Sequence, residues 1–111
     1  MNLDDELLDR YSRQIIIPEI GEIGQNKLTN SKVLVIGAGG LGAPVISILS
    51  GAGVGNLTVI DFDKVEVSNL NRQFIHNSKN IGITKTESAK NFVENLNPFI
   101  NINLINKKVE D

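Results

Sequence analysis

Gly37, Gly39 and Gly42 form a Gly-x-Gly-x-x-Gly turn between an apolar, β-branched run and a segment with helical periodicity. In such a turn the first glycine permits a tight bend and the second lets a pyrophosphate approach the backbone. The third glycine permits close packing of the helix on the strand. The free N–H groups at the start of the helix attract an anion. The spacing therefore predicts a nucleotide-phosphate site.

Asp61 follows the next apolar run, 19 residues after Gly42. A carboxylate at this point of a dinucleotide-binding unit accepts hydrogen bonds from ribose hydroxyls. The same pair of features suits NAD, FAD or ATP, and glycines also make plain strand-to-helix turns. The turn and the acid alone do not choose among these ligands.

The polar segment after Asp61 adds cations to the predicted site. It contains Asn69, Arg72 and Gln73, and Lys85 stands at the start of the next helical pattern. Arginine and lysine suit the three or four negative charges of a nucleoside triphosphate and exceed what a dinucleotide pyrophosphate needs. The segment therefore favours ATP over NAD.

Five motifs occur in order over nearly the whole chain. They are Arg10-Tyr11-Ser12-Arg13-Gln14, Gly37-Ala38-Gly39-Gly40-Leu41-Gly42, Ala52-Gly53-Val54-Gly55, Asp61-Phe62-Asp63 with Ser68-Asn69-Leu70-Asn71-Arg72-Gln73, and Gly82 with Lys85. As a set they resemble the ThiF/MoeB/HesA family, the ubiquitin-activating-enzyme-like adenylyltransferases that serve sulfur carriers of molybdopterin and thiamine biosynthesis. The resemblance implies an enzyme that binds ATP with Mg²⁺ and adenylates the C-terminal Gly-Gly carboxylate of a ubiquitin-like carrier protein.

The resemblance also implies a role for individual residues. Gly40 would approach the phosphates and Asp61 would hold the ribose. The implied catalytic residues are Arg13, Arg72 and Lys85, with Arg13 reaching the site from the neighbouring subunit of a homodimer. The implied nucleotide-binding residues are Gly37, Gly39, Gly40, Gly42, Asp61, Asp63, Ser68, Asn69, Leu70, Asn71, Arg72, Gln73 and Lys85.

The family places a magnesium-binding aspartate, zinc-binding cysteine pairs and the carrier-binding surface beyond the positions matched here. We therefore expect this chain to be the N-terminal part of a longer enzyme, inactive alone, with no metal ligands of its own and with any Zn²⁺ in the missing C-terminal part. Two alternatives stay open at this point. One is a fragment of an NAD- or FAD-binding Rossmann oxidoreductase, and the other is a non-catalytic, dimerising remnant of the fold.

The hydrophobic pattern predicts the elements that position these residues. Residues 4–17 read as one amphipathic helix, and residues 24–30 as a short second one. The run 32–36 reads as a strand buried on both faces, and the helix after the glycine turn runs to about Ala52. The residues expected on its buried side are Leu41, Val45, Ile48, Leu49 and Ala52. Residues 57–60 read as a second strand.

Residues 61–83 read as a long connection with a helical turn near 68–74 and with His76 at the surface. Thr84 and Glu87 have the spacing of a capping box, and the helix that follows carries a stripe of Ala89, Phe92, Val93 and Leu96. A third strand alternates through residues 100–104. The order predicts an α/β fold, a partial Rossmann-like doubly wound parallel sheet (residues 31–111, the first half of a nucleotide-binding domain) preceded by an N-terminal helical segment (residues 1–30).

Composition limits the remaining classes. The chain has 111 residues, a formal charge of −2 and no cysteine. We therefore expect no nucleic-acid partner, no disulfide and no catalytic thiol. No apolar run approaches the ~20 residues of a membrane span, and the acidic N-terminus does not resemble a signal peptide. A cytoplasmic protein without a membrane partner is the expectation.

Overall fold

The computed structural model describes residues 3–109; residues 1, 2, 110 and 111, at the outer ends of the two predicted segments, lie outside the described residues. The helices are α1 (Leu3–Arg10), α2 (Ser12–Ile15), α3 (Gly21–Thr29), α4 (Gly42–Ala52) and α5 (Lys85–Leu96). The strands are β1 (Lys32–Ile36), β2 (Asn56–Asp61) and β3 (Asn101–Asn106). Two short 3₁₀ turns, Val67–Asn69 and Ser78–Asn80, lie between β2 and α5.

The three strands form one parallel sheet in the order β1-β2-β3. Val35, Val59 and Leu104 stand side by side across it. Helices α4 and α5 are the two crossovers, and both pack on the face of the sheet that carries Val35 and Val59. The predicted α/β class and parallel sheet are confirmed, and the carboxyl ends of all three strands meet at one edge.

The prediction that β1 is buried on both faces is wrong for the described residues. Val35 is 6% exposed, but Leu34 and Ile36, which point the other way, are 54% and 62% exposed. A continuous apolar run is typical of a strand covered twice, whereas here α4 and α5 cover one face only. The opposite face of the sheet is open.

The predicted buried side of α4 is wrong for Leu41, Val45 and Ile48, whereas Leu49 is partly buried against the core as expected. Leu41, Val45 and Ile48 are 89%, 43% and 67% exposed, whereas Ala43, Ile46 and Ser50 are at most 1% exposed. Nearly every residue of α4 is apolar, so a stripe with helical spacing can be drawn on several sides of it. The side that carries Ala43 and Ile46 is the one that packs in the core against the sheet.

The single helix predicted over residues 4–17 is two helices, α1 and α2. The chain leaves helical dihedrals at Tyr11 (φ −103°, ψ 11°). The ring of Tyr11 is 5% exposed, and its hydroxyl accepts a hydrogen bond from Asn97 Nδ2 at 2.8 Å. Burial of this one side chain overrides the local helical periodicity. The second helix is confirmed and starts earlier, at Gly21.

The N-terminal helices attach to the C-terminal end of α4. Gln14 Nε2 and Gln25 Nε2 both donate to the backbone oxygen of Ala52, at 2.9 and 3.0 Å. Arg10 donates to the backbone oxygen of Leu96 at 2.8 Å. These bonds satisfy carbonyls that the ends of α4 and α5 leave without a helical partner.

The connection between β2 and α5 is closed at its base by backbone hydrogen bonds. Val65 N donates to Ile83 O and Lys85 N donates to Asp63 O, both at 2.9 Å. Thr84 Oγ1 accepts from Glu87 N at 3.2 Å, which is one of the two bonds of the expected capping box. The start of α5 is therefore held beside the carboxyl end of β2. No helix in the part of the chain that the structure describes combines the length and apolar character of a membrane span.

Candidate nucleotide-phosphate site

The glycine turn has the geometry of a tight strand-to-helix bend. Gly37 has φ 92°, a left-handed backbone conformation that residues other than glycine rarely adopt. A Cβ on Gly42 would overlap the carbonyl oxygen of Gly37, so α4 can start this close to β1 only with glycine there. The bend and the close packing expected of these two glycines are both present.

Four consecutive N–H groups at the start of α4 have no acceptor among residues 3–109. They belong to Gly39, Gly40, Leu41 and Gly42, while the next one, of Ala43, donates to Gly39 O at 2.8 Å. The first N–H groups of any helix lack intrahelical partners and carry partial positive charge. The turn is therefore a ready site for an anion.

Lys85 supplies a cation beside this turn. The residue is 7% exposed, and its ammonium makes no hydrogen bond or ion pair with any described residue. A Cβ on Gly39 would lie 3.8 Å from Lys85 Nζ and 3.6 Å from Gln73 Nε2. Gln73 is 4% exposed, and its Oε1 is buried without a partner. Buried polar groups are normally paired, so these groups point to a ligand.

Asp61 holds the turn from the sheet side. Its Oδ2 accepts from Ala38 N at 2.7 Å and its Oδ1 accepts from Asp63 N at 2.8 Å. Sequence reasoning predicted a ribose ligand here and missed this structural task. A carboxylate has about four lone-pair sites, so both tasks are compatible.

His76 is the site residue that sequence reasoning placed wrongly. The expected surface histidine is 4% exposed, with Nε2 2.8 Å from Ala38 O and Nδ1 2.6 Å from Ser88 Oγ. Burial lowers the pKa of His76 below its ordinary value. The hydrogen bond to Ala38 and the negative charge of Asp61 raise this pKa in part, and the positive charge of Lys85 lowers it further. The local sequence carried no signal, because the contact to Ala38 spans 38 residues.

Other predicted residues lie in the loop that follows β2, and several make contacts within it. Arg72 is exposed, and its Nη1 donates to Ser68 O at 3.1 Å and to Asn71 Oδ1 at 2.9 Å. Asn69 Oδ1 accepts from Glu66 N at 2.9 Å. Leu70 is half-buried in the same turn, and the side chain of Asp63 is exposed. Asp63 lines a cleft with Gly37 and Asp61, and Arg72 lines another with Ala43 and Pro44 at the start of α4.

Arg13 is exposed and makes no hydrogen bond or ion pair with the described residues. Its neighbour Gln14 is bonded to Ala52 at the C-terminal end of α4, and the glycine turn is at the N-terminal end. The 11 residues of α4 separate these ends by about 16 Å. The structure does not bring Arg13 to the glycine turn of its own subunit.

A metal site made of protein ligands alone is not found within residues 3–109, where no three histidine, cysteine, aspartate or glutamate side chains cluster. Mg²⁺ is commonly held by one or two carboxylates together with substrate phosphates. The unengaged carboxylate of Asp63, two residues beyond Asp61, fits a contribution of that kind.

The parallel sheet and the glycine turn at the carboxyl end of β1 define a domain of the Rossmann-like class. Comparison with known proteins narrows this class. The ThiF family model matches residues 11–111, and the chain belongs to the ThiF family.

Two curated relatives and one solved structure illustrate the similarity. The chain is 49% identical over 110 residues to the SAMP-activating enzyme E1 of Haloferax volcanii, covering 99% of the chain and 41% of the relative. It is 52% identical over 98 residues to the adenylyltransferase and sulfurtransferase UBA4 of Saccharomyces cerevisiae, covering 87% of the chain and 22% of the relative. The structure of Escherichia coli MccB with ATP matches with a TM-score of 0.83 and 34% identity, covering 92% of the chain and 31% of MccB. The chain thus spans less than half the length of these relatives.

Proposed function

We propose that the protein containing this chain binds ATP at the glycine turn and adenylates the C-terminal Gly-Gly carboxylate of a ubiquitin-like carrier protein. The observation that carries the proposal is the unpaired ammonium of Lys85, a residue only 7% exposed, beside four free N–H groups. The names of the relatives, an activating enzyme and an adenylyltransferase, agree with this activity, and MccB was solved with ATP.

The proposed reaction needs no protein nucleophile. An oxygen of the carrier carboxylate attacks the α-phosphorus and forms an acyl-phosphate bond to AMP. The bond between the α-phosphorus and the bridging oxygen breaks, and pyrophosphate leaves with that electron pair. Lys85 and the N–H groups of the turn would fix the phosphates and stabilise the charge that moves onto pyrophosphate. Arg72 would join them after releasing its contacts to Ser68 and Asn71.

Mg²⁺ would accompany the nucleotide and neutralise part of the phosphate charge. The contribution proposed for this chain is the carboxylate of Asp63, beside the ribose-binding Asp61. Asn69 would bind the polyphosphate together with Arg72 and Lys85. The wall of the site would be formed by Ser68, Leu70 and Asn71, around the 3₁₀ turn in which Glu66 N donates to Asn69 Oδ1.

We also propose that the active species is a homodimer in which Arg13 serves the partner's site. The proposal rests on two features: the free guanidinium of Arg13, and the bond of its neighbour Gln14 to the end of α4 that lies away from the glycine turn. Mixing Arg13→Ala and Arg72→Ala subunits of the full-length enzyme tests it, because one intact site forms per heterodimer. We expect pyrophosphate exchange to return in the mixture; two inactive variants that exchange subunits without restoring activity would contradict the dimer role.

Calorimetric titration with ATP–Mg²⁺ and with NAD separates the proposed function from its alternatives. We expect ATP to bind tighter than NAD by tenfold or more. Tighter binding of NAD would favour the oxidoreductase. Tight ATP binding with no carrier-dependent pyrophosphate exchange by the full-length protein would favour the non-catalytic remnant.

A further inference from the structure

His76 bonds at the same time to the glycine turn and to the helix that carries Lys85. Its Nε2 lies 2.8 Å from Ala38 O, and its Nδ1 lies 2.6 Å from Ser88 Oγ, one turn of α5 after Lys85. A carbonyl oxygen only accepts, so Nε2 carries the proton. In the neutral ring Nδ1 is then the acceptor for the hydroxyl of Ser88. The surroundings select one tautomer of a neutral imidazole.

The bond to Ala38 sets the direction of the next N–H group. The peptide between Ala38 and Gly39 is planar and trans, so its C=O and N–H point in opposite directions. Holding Ala38 O against His76 directs the N–H of Gly39 away from the protein interior, where it has no protein acceptor. Asp61 fixes the preceding peptide through Ala38 N. The two side chains together leave Ala38 little freedom to rotate.

We propose that His76 is a positioning residue that aims the Gly39 N–H at the nucleotide phosphates and holds the glycine turn at a fixed distance from Lys85. This inference rests on the proposed ATP site and adds a residue that belongs to none of the predicted phosphate contacts. His76 itself touches no ligand; it acts through Ala38 and through Ser88. A bare structural histidine would stabilise the fold without favouring phosphate over any other ligand.

A series of nucleotides tests the inference with the full chain. In wild type we expect affinity to rise from adenosine to AMP to ATP. His76→Leu removes the donor to Ala38, and we expect ATP to bind about tenfold more weakly while adenosine affinity stays within twofold. His76→Gln keeps an N–H donor for Ala38 and should recover most of the ATP affinity. Ser88→Ala keeps the bond to Ala38 and should lose less than His76→Leu.

Two controls separate the possible failures. Urea denaturation establishes that each variant is folded, and ¹⁵N amide spectra of Gly39 and Gly40 report the turn without any ligand. We expect His76→Leu, and not His76→Gln, to shift or broaden both amides. If the amides of folded His76→Leu match wild type, or if adenosine and ATP lose affinity equally, the positioning role is wrong. If wild type binds ATP no better than adenosine while the amides still respond, the proposed ATP site fails instead.

Discussion

Tyr11 leaves no room for a side chain at Gly53. A Cβ on Gly53 would lie 2.6 Å from Cζ of Tyr11 and 2.7 Å from Gln25 Nε2. Gly53 also has φ 91°, the left-handed conformation that ends α4. The Arg10-Tyr11-Ser12-Arg13-Gln14 motif and the Ala52-Gly53-Val54-Gly55 motif therefore pack directly against each other.

We expect Gly53→Ala to lower the free energy of unfolding by about 2–4 kcal/mol, because it adds both a clash and an unfavourable φ. Gly51→Ala is the matched control two residues earlier. There a Cβ would meet only Leu96 Cδ2 at an ordinary 3.7 Å, so alanine should stabilise the helix by about 0.5–1 kcal/mol. Urea denaturation of both variants measures the difference, and equal effects would contradict the packing described.

Lys85→Met should weaken ATP binding without lowering the stability of the fold. The ammonium of Lys85 makes no hydrogen bond or ion pair with the described residues, so its removal should change the free energy of unfolding by less than about 1 kcal/mol. The same change should weaken ATP binding roughly 10- to 100-fold, since a charged hydrogen-bond donor is lost. Lys90→Met is the control on the same helix; Lys90 pairs with Glu94 at 3.9 Å near the surface, and its loss should leave ATP affinity within twofold. A stability loss with normal ATP affinity would mean that Lys85 is structural.

His76 makes stability depend on pH in a defined direction. Burial lowers its pKa in the folded chain below the ordinary 6.5, so below about pH 6.5 the unfolded chain binds more protons than the folded one. Stability should therefore fall as pH decreases from 6.5 to the folded pKa, by at most about 1.4 kcal/mol per pH unit, and level off below it. His76→Gln should lack this component. Urea denaturation from pH 8 to pH 5 gives both curves; parallel curves would show that the imidazole does not titrate as described.

Arg13 and Gln14 are neighbours with opposite expected roles. Gln14 Nε2 donates to Gln25 Oε1 at 2.6 Å and to Ala52 O, so Gln14→Ala should cost about 1–2 kcal/mol of stability. Arg13 has no intramolecular bond among the described residues, so Arg13→Ala should change stability by less than about 0.5 kcal/mol. Thermal or urea unfolding compares the two, and a large loss for Arg13→Ala would remove the reason to give it a role outside its own subunit.

The sequence was sufficient where local chemistry decides the structure. The glycine turn, the cap of α5 at Thr84 and the alternation in β3 follow from spacing alone, and each is present. Burial of α4 was not predictable in this way, because its apolar residues surround the whole helix and only the sheet selects a side. A family resemblance supplied the candidate site residues, and the geometry shows that Lys85 and Gln73 lie beside the glycine turn.

The positions that sequence reasoning missed depend on contacts between distant parts of the chain. His76 reads as a loop residue until Ala38 and Ser88 are brought beside it. Tyr11 reads as one position on a helical stripe until Asn97 meets its hydroxyl. Asp61 reads as a ligand group, although its oxygens already hold two backbone N–H groups. Hydrogen bonds over such separations leave no periodic trace in a single sequence.

Helix α4 connects the glycine turn to the N-terminal helices. One end begins at the glycine turn, and the other is tied through Ala52 to Gln14, the residue next to Arg13. Over its length of about 16 Å, a tilt of only about 4° moves one end by about 1 Å relative to the other. A small shift of the glycine turn on binding an anion would therefore also shift Arg13 near the other end of the helix. Occupancy of the glycine turn and the position of Arg13, which we propose serves another subunit, would be linked through this one helix.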